Sequence, residues 1–243
     1  MLGVPSLRTR GDRVTVLAQR HSPSTEARRA AAPRDLPAWE ARVRRILRPA
    51  AVELVDGSRE QRQRLVAAGV RQGTLRGPAE AAADLSSLPL DDLLVPELRD
   101  LRDFDAAAGP GTPEPADEEQ REAEALRLLS GAARGRTAWV VPFAVEPLGA
   151  AGASGPALGV LFTDSRVAVL AVQDEARVGA EALARIEAGE PWTALVHSLG
   201  VPLDDEHGHA LREDEAWPTG TRLRVRLRGG TEVWSCGSPV AWS

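Results

Sequence analysis

The chain has 243 residues, 43% of them hydrophobic and 27% charged, a formal net charge of −5 and a single cysteine, Cys236. That suits one large folded domain or two small ones and excludes an internal disulfide framework or a multi-cysteine zinc site. All 30 basic residues are arginine, and lysine, asparagine and tyrosine are absent, which excludes a Walker A loop, a Schiff-base lysine, a kinase-type phosphate lysine and an N-glycosylation acceptor.

The missing residue types have AT-rich codons, so the sequence reads as bacterial, from a GC-rich genome. No apolar run reaches the roughly 18 residues of a membrane span, and the N-terminus lacks the apolar core of a secretory signal. A lone thiol fits a reducing cytoplasm. Residues 1–36 hold seven arginines against Asp12, Glu26 and Asp35, a charge of +4, which leaves −9 for the remainder. This segment is expected to be a basic, disordered arm.

Residues 37–104 read as mostly helical. In "LPAWEARVRRILR" the apolar Trp39, Val43, Ile46 and Leu47 share one helical face. "AAVELV" predicts a short strand. Ser58 and Gln61 have capping-box spacing and open a helix through about Ala68. "PLDDLLVPELRDLRDF" predicts one or two short helices broken at Pro96. Residues 105–118, rich in Pro, Gly and acids, form a linker or a long loop.

Residues 119–243 read as an α+β domain. Asp117 and Gln120 cap a helix to about Ala133, with Leu126, Leu129 and Ala133 on one side. "TAWVVPFAV" is a strand that Pro142 confines to an edge or a bulge. "ALGVLFT" and "RVAVLAV" predict an antiparallel hairpin turning at Asp164-Ser165, apolar on both faces and covered by helices. The Gly-rich stretch Gly149–Gly159 has no helix after it and reads as a loop, not a dinucleotide fingerprint. Asp174 caps a helix through Ala188 with Val178, Ala182 and Ile186 inward, and a second helix covers Pro191–Leu199. "TRLRVRLRGGTEVWS" is a hairpin turning at Gly229-Gly230. The fold class that follows is α+β: a helical N-terminal half, then a small antiparallel sheet with covering helices and a terminal β-hairpin.

The order from residue 176 onward is helix, helix, a Gly200-Val201-Pro202 turn, a third segment and a hairpin, with "WTALVHSLGV" at its centre. It resembles a winged helix-turn-helix. The resemblance implies nucleic-acid binding through the C-terminal helices and the hairpin arginines Arg222, Arg224, Arg226 and Arg228. On a strand these four share one face about 7 Å apart, suited to phosphate contacts. The segment that would read DNA, Leu203–Glu215, carries Asp204, Asp205, Glu206, Glu213, Asp214 and Glu215 against Arg212, and acids repel the phosphate backbone. The alternatives for the arginines are charge that protects an edge strand, or pairing with those acids.

A structural helical hairpin or protein-contact surface is the other reading of Gly189–His209, with Trp192, His197, Asp204 and Glu206 as its contact residues. His207, His209 and Asp205 have the ligand chemistry for zinc, manganese or iron, with His197 or His21 as further donors. Cys236 reads as a small buried or strand-end residue, since no basic partner marks it as a nucleophile. No G-x-S-x-G elbow is present. The leading functional expectation is a non-enzymatic, cytoplasmic binding or regulatory protein with a protein partner, no cofactor and no membrane contact. A nucleic-acid-binding regulator comes second, disfavoured by the acidic balance. A metal-dependent enzyme around His207 and His209 comes third.

Overall fold

The structure is a computed structural model that describes residues 35–77, 85–94, 118–145, 157–203 and 223–237. The expected basic arm up to residue 34, the Pro96 region, the 105–117 connector and the glycine-rich stretch up to residue 156 lie outside those residues.

Helix α1 (Leu36–Leu47) starts at a cap: Asp35 Oδ1 accepts the Ala38 amide at 2.9 Å, and Pro37 occupies the first turn. Its buried face is Trp39, Val43 and Leu47. Strand β1 (Ala51–Leu54) follows. Helix α2 (Arg59–Gln72) is capped by Ser58, whose Oγ accepts the Gln61 amide at 3.1 Å. Gln61 does not reach back to Ser58 as in a capping box. It accepts from the Asp56 amide and donates to the Leu54 carbonyl, so it fastens the end of β1 to the helix. The single turn α3 (Leu90–Leu93) hangs from Asp174, whose Oδ2 accepts the Leu90 amide at 2.6 Å.

The remaining elements are α4 (Glu118–Leu129), β2 (Thr137–Val145), β3 (Ala157–Thr163), α5 (Arg166–Glu175), β4 (Arg177–Val178), α6 (Ala180–Glu187), β5 (Trp192–Ser198), β6 (Leu223–Leu227) and β7 (Glu232–Cys236). The strands make one seven-stranded mixed sheet in the order β1-β2-β3-β5-β7-β6, with β4 added beside β2. β3, β5 and β7 run parallel to one another, while β2 and β6 oppose their neighbours β3 and β7. Helices α1, α4 and α6 pack on one face and α2, α3 and α5 on the other. Because β1 pairs in parallel with β2 and α1 enters the same core, elements before residue 105 and after residue 118 share one sheet and one interior.

The sheet is thus mixed where a small antiparallel one was expected, and two elements account for the difference. The run beginning "RVAVLAV" is helix α5. Ser165 caps it, its Oγ accepting the Ala168 amide at 3.1 Å, and Arg166 through Val172 are all buried. A continuous apolar run suits a buried strand and a helix buried all round equally, so periodicity cannot separate them. Asp164-Ser165 is therefore a strand-to-helix junction, not a hairpin turn. Conversely, Pro191–Leu199 contains β5, paired in parallel with β3 from Leu158–Trp192 to Thr163–His197. Trp192, Ala194 and Val196 alternate toward the α1 side. With β5 a strand, the helix-turn-helix order is lost.

Smaller departures have local causes. Asp174 lies in the last turn of α5 and pairs with Arg62 at 2.7 Å, instead of capping the next helix. α4 ends at Leu129 and leaves Leu126 exposed. Pro142 is not at an edge: β1 pairs with Thr137–Val140 and β4 with Phe143–Ala144 along the same side of β2. The proline falls in the gap between them, its carbonyl accepting the Gly179 amide, so its missing N–H costs no ladder bond. The terminal hairpin forms, with Leu227 opposite Glu232 and Leu223 opposite Cys236 around a short 3-10 turn at Arg228–Gly230.

Candidate active site

The C-terminal ends of β3, β5 and β7 meet the start of β2 along one edge of the sheet. In open α/β sheets this is where ligands bind, because loops leaving the strand ends can part around a crevice. Here Arg136, Thr163, Asp164, His197 and Ser198 are all completely buried. Groups of this polarity are kept inside only when their hydrogen bonds are satisfied.

Asp164 is the centre. Its Oδ2 accepts from Ser198 Oγ at 2.9 Å and its Oδ1 from the Leu199 amide at 2.8 Å. Arg136 Nε stands 3.8 Å from Oδ2 and donates to the Val201 carbonyl at 2.6 Å. Ser198 Oγ also accepts the Gly200 amide, and the Ser198 carbonyl accepts the Gly237 amide at 3.0 Å. Beside this, Thr163 Oγ1 accepts the Ser165 amide and shares a 2.7 Å hydrogen bond with His197 Nδ1. Gly200 is required where it stands. Its φ is +82°, and a Cβ there would lie 2.7 Å from Cys236 Sγ.

Burial pushes the Asp164 carboxyl up to about 6, against the pull of Arg136 and of the hydrogen bonds from Leu199 and Ser198. Burial, followed by the nearby Asp164 charge, pushes the Cys236 thiol up to about 12. The thiolate is the nucleophilic form, so Cys236 is inert here, the small strand-end residue of β7. Arg136 is wholly buried beside Asp164, while Arg166, at the start of α5, is bonded to Gln72 at 2.8 Å and stacked over Trp139.

A second concavity, an open cleft of about 500 Å3 between α2 and α5, is lined by Ser58, Arg62, Ser86 and Asp174 among others. Arg62 is engaged there by the Ser86 and Leu88 carbonyls and by Asp174, so the cleft is a stitched seam.

The residues singled out from sequence are dispersed. Trp192 and His197, expected on an interaction surface, are 3% and 0% exposed. Trp192 packs edge-on against Trp39, and His197 is bound to Thr163. Arg224 and Arg226 lie on the exposed side of β6. Arg228 leaves the strand with a φ of 52° and pairs with Glu232 at 2.7 Å and Glu122 at 3.6 Å. These partners come from β7 and α4; the acids Asp204 to Glu215 lie outside the described residues. Arg222, Asp204, Asp205, Glu206, His207 and His209 lie outside the described residues.

Comparison with known proteins decides what this edge is part of. The model of the phosphoenolpyruvate carboxykinase N-terminal domain matches residues 105–241, more than half of the chain and all of the buried cluster. The chain belongs to the phosphoenolpyruvate carboxykinase N-terminal domain family. Among curated relatives, the GTP-type phosphoenolpyruvate carboxykinase of Corynebacterium glutamicum strain R is 32% identical over 206 residues, 82% of this chain and 32% of the relative. That of Paenarthrobacter aurescens is 32% identical over 240 residues, 94% of this chain and 36% of the relative. That of Renibacterium salmoninarum is 33% identical over 210 residues, 82% of this chain and 33% of the relative. The chain spans about a third of the length of the curated relatives it matches.

Membership of this carboxykinase family overturns the non-enzymatic regulator and the winged helix-turn-helix nucleic-acid binder, together with the expectation that the chain is not enzymatic. His207 and His209, the expected centre of a metal-dependent enzyme, lie within the matched residues 105–241 and outside the described ones. The sequence reading missed Arg136, Asp164 and Ser198. The signal that would have found the last two is an apolar strand ending in Thr-Asp-Ser before a capped helix, and a second ending in His-Ser-Leu-Gly. Both patterns place small polar residues at strand C-termini.

Proposed function

We propose that this chain takes part in carboxykinase chemistry of the kind its relatives are named for, with phosphoenolpyruvate as the acid substrate and GTP as the nucleotide. Its own share is to bind phosphoenolpyruvate at the C-terminal edge of β3, β5 and β7. The observation that carries this reading is the buried polar cluster of Arg136, Thr163, Asp164, His197 and Ser198 at that edge, inside the residues that match the family. Phosphoenolpyruvate carries a phosphate and a carboxylate, and the planar guanidinium donor fork matches both. The chain is free of lysine, so every side-chain cation it offers a phosphate is arginine or histidine. Glycines at positive φ, Gly200 and Gly237, leave the backbone close to the edge uncovered by side chains.

Catalysis would then lie in holding the acid in a fixed pose while the phosphoryl group is transferred, a contribution of orientation. The cytoplasm is the compartment proposed for this work. No helix among the described residues is long and apolar enough to cross a membrane. The test is calorimetric titration of the full chain with phosphoenolpyruvate, beside pyruvate and inorganic phosphate as half-ligands. Saturable binding of phosphoenolpyruvate, tighter than of either half-ligand, supports the reading. Equal, weak responses to all three would overturn it.

A further inference from the structure

We infer that Asp164 and Ser198 are positioning residues of this site: together they set the course of the 198–203 loop against which the acid substrate is held. The inference rests on the functional reading above and adds to it the part that shapes the site.

The hydrogen bonds of the cluster are aimed at the loop. Asp164 takes the Ser198 hydroxyl and the Leu199 amide, Ser198 Oγ takes the Gly200 amide, and Arg136 gives Nε to the Val201 carbonyl. Two residues further on, the Leu203 amide donates to the Arg134 carbonyl at 2.8 Å. Each of residues 198–201, and Leu203, is thereby fixed by a group of the 134–136 or 164 segments or by Ser198 itself. The Ser198 carbonyl extends the grip to the Gly237 amide at the end of β7. Two segments leaving the edge, after β5 and after β7, are therefore set by one serine and one carboxylate.

The arrangement is a poor way to gain stability alone. A fully buried carboxylate is expensive, and its cation is 3.8 Å away and shared with a carbonyl. Apolar replacements of buried ion pairs are often as stable or more so. What an apolar pair cannot do is orient two successive amides of a loop. Gly200 is wedged against Cys236 Sγ, so the loop has little freedom to find another course once those bonds are made.

The test uses the full chain and Ser198→Ala, which removes the hydroxyl that joins Asp164 to the Gly200 amide. Two readouts are taken together: amide hydrogen exchange at Leu199 and Gly200, with Val160 and Val196 in the sheet as references, and the affinity for phosphoenolpyruvate. Losing one oriented hydrogen bond is expected to speed loop exchange about tenfold and weaken phosphoenolpyruvate about tenfold, with the sheet amides unchanged. If Ser198→Ala does not fold, Arg136→Lys is read in the same way, since it keeps a cation beside Asp164 and alters the donor to Val201. Faster loop exchange with unchanged affinity would overturn the inference and leave the functional reading standing, as would unchanged loop exchange. Absence of phosphoenolpyruvate binding by the wild type would overturn the functional reading, and the positioning role with it.

Discussion

Two buried carboxylates sit at opposite ends of the sheet and are treated in opposite ways. Asp164, at the C-terminal edge of the parallel strands, is satisfied chiefly by a hydroxyl and a backbone amide, with Arg136 at 3.8 Å. Glu232, at the start of β7, is held by Arg42, by Arg228 at 2.7 Å and by the Trp39 indole at 3.2 Å. Arg136 is fully buried, whereas the side chains of Arg42 and Arg228 are 29% and 48% exposed. The Glu232 cluster is an ionic bolt that ties α1 to the sheet, with cations that water can reach. The Asp164 cluster is a closed polar knot whose bonds run to a loop. Loss of the carboxylate should therefore hurt more where the cation left behind cannot hydrate.

The largest expected effect follows directly. Asp164→Ala strands the Arg136 guanidinium in the interior and should cost about 3–5 kcal/mol in urea unfolding, the usual penalty for breaking a buried pair. A loss below that of Glu232→Ala would break the contrast. Next is the pH dependence of the Asp164 carboxyl. Its pKa is raised from 3.8 to about 6 in the folded protein, so the folded state holds the proton more tightly than the unfolded chain. The stability this group confers is present in full below pH 3.8 and is lost as the pH rises through about 6. Relative to Asp164→Asn, which cannot titrate there, the wild type should gain up to about 3 kcal/mol between pH 7 and pH 4. Parallel curves for the two proteins would show that the carboxyl titrates normally. The smallest effect is at the bolt. Glu232→Ala should cost about 1–3 kcal/mol, because Arg42 and Arg228 can turn to water while only the Trp39 indole loses a buried partner.

A further measurement bears on whether knot and bolt belong to one body. β1 and α1 share a sheet and a core with everything after residue 118, so Trp39→Ala and Asp164→Ala should each lower the midpoint of a single urea transition monitored at any probe. Two separable transitions would divide the chain at the 105–118 stretch.

What the sequence made legible, and what it hid, follows from the same physics. The α1 face, the Ser58 cap, the β1 strand and the terminal hairpin are local signals, set by periodicity, capping and turn chemistry within a dozen residues. α5 and β5 were exchanged because both lie in the centre of the molecule. An all-round apolar helix and a doubly covered parallel strand lose the amphipathic period that would distinguish them. That single exchange produced the helix-turn-helix reading and moved Trp192 and His197 to a surface they do not occupy. The candidate site was hidden for another reason. Arg136, Asp164 and Ser198 are far apart in sequence and meet only through the strand order, so no short motif announces them. The four arginines and the acidic stretch did announce themselves, yet abundant charge in a sequence is a weak marker of chemistry.

The central claim is that phosphoenolpyruvate binds at the edge where β3, β5 and β7 end. It is tested most directly by amide chemical shifts of the full chain during titration with phosphoenolpyruvate. The account predicts saturable shifts concentrated at Leu199, Gly200, Val201 and Gly237, with the exposed Arg224 and Arg226 side of β6 unmoved. Shifts confined to β6, or no saturable shift at all, would contradict it.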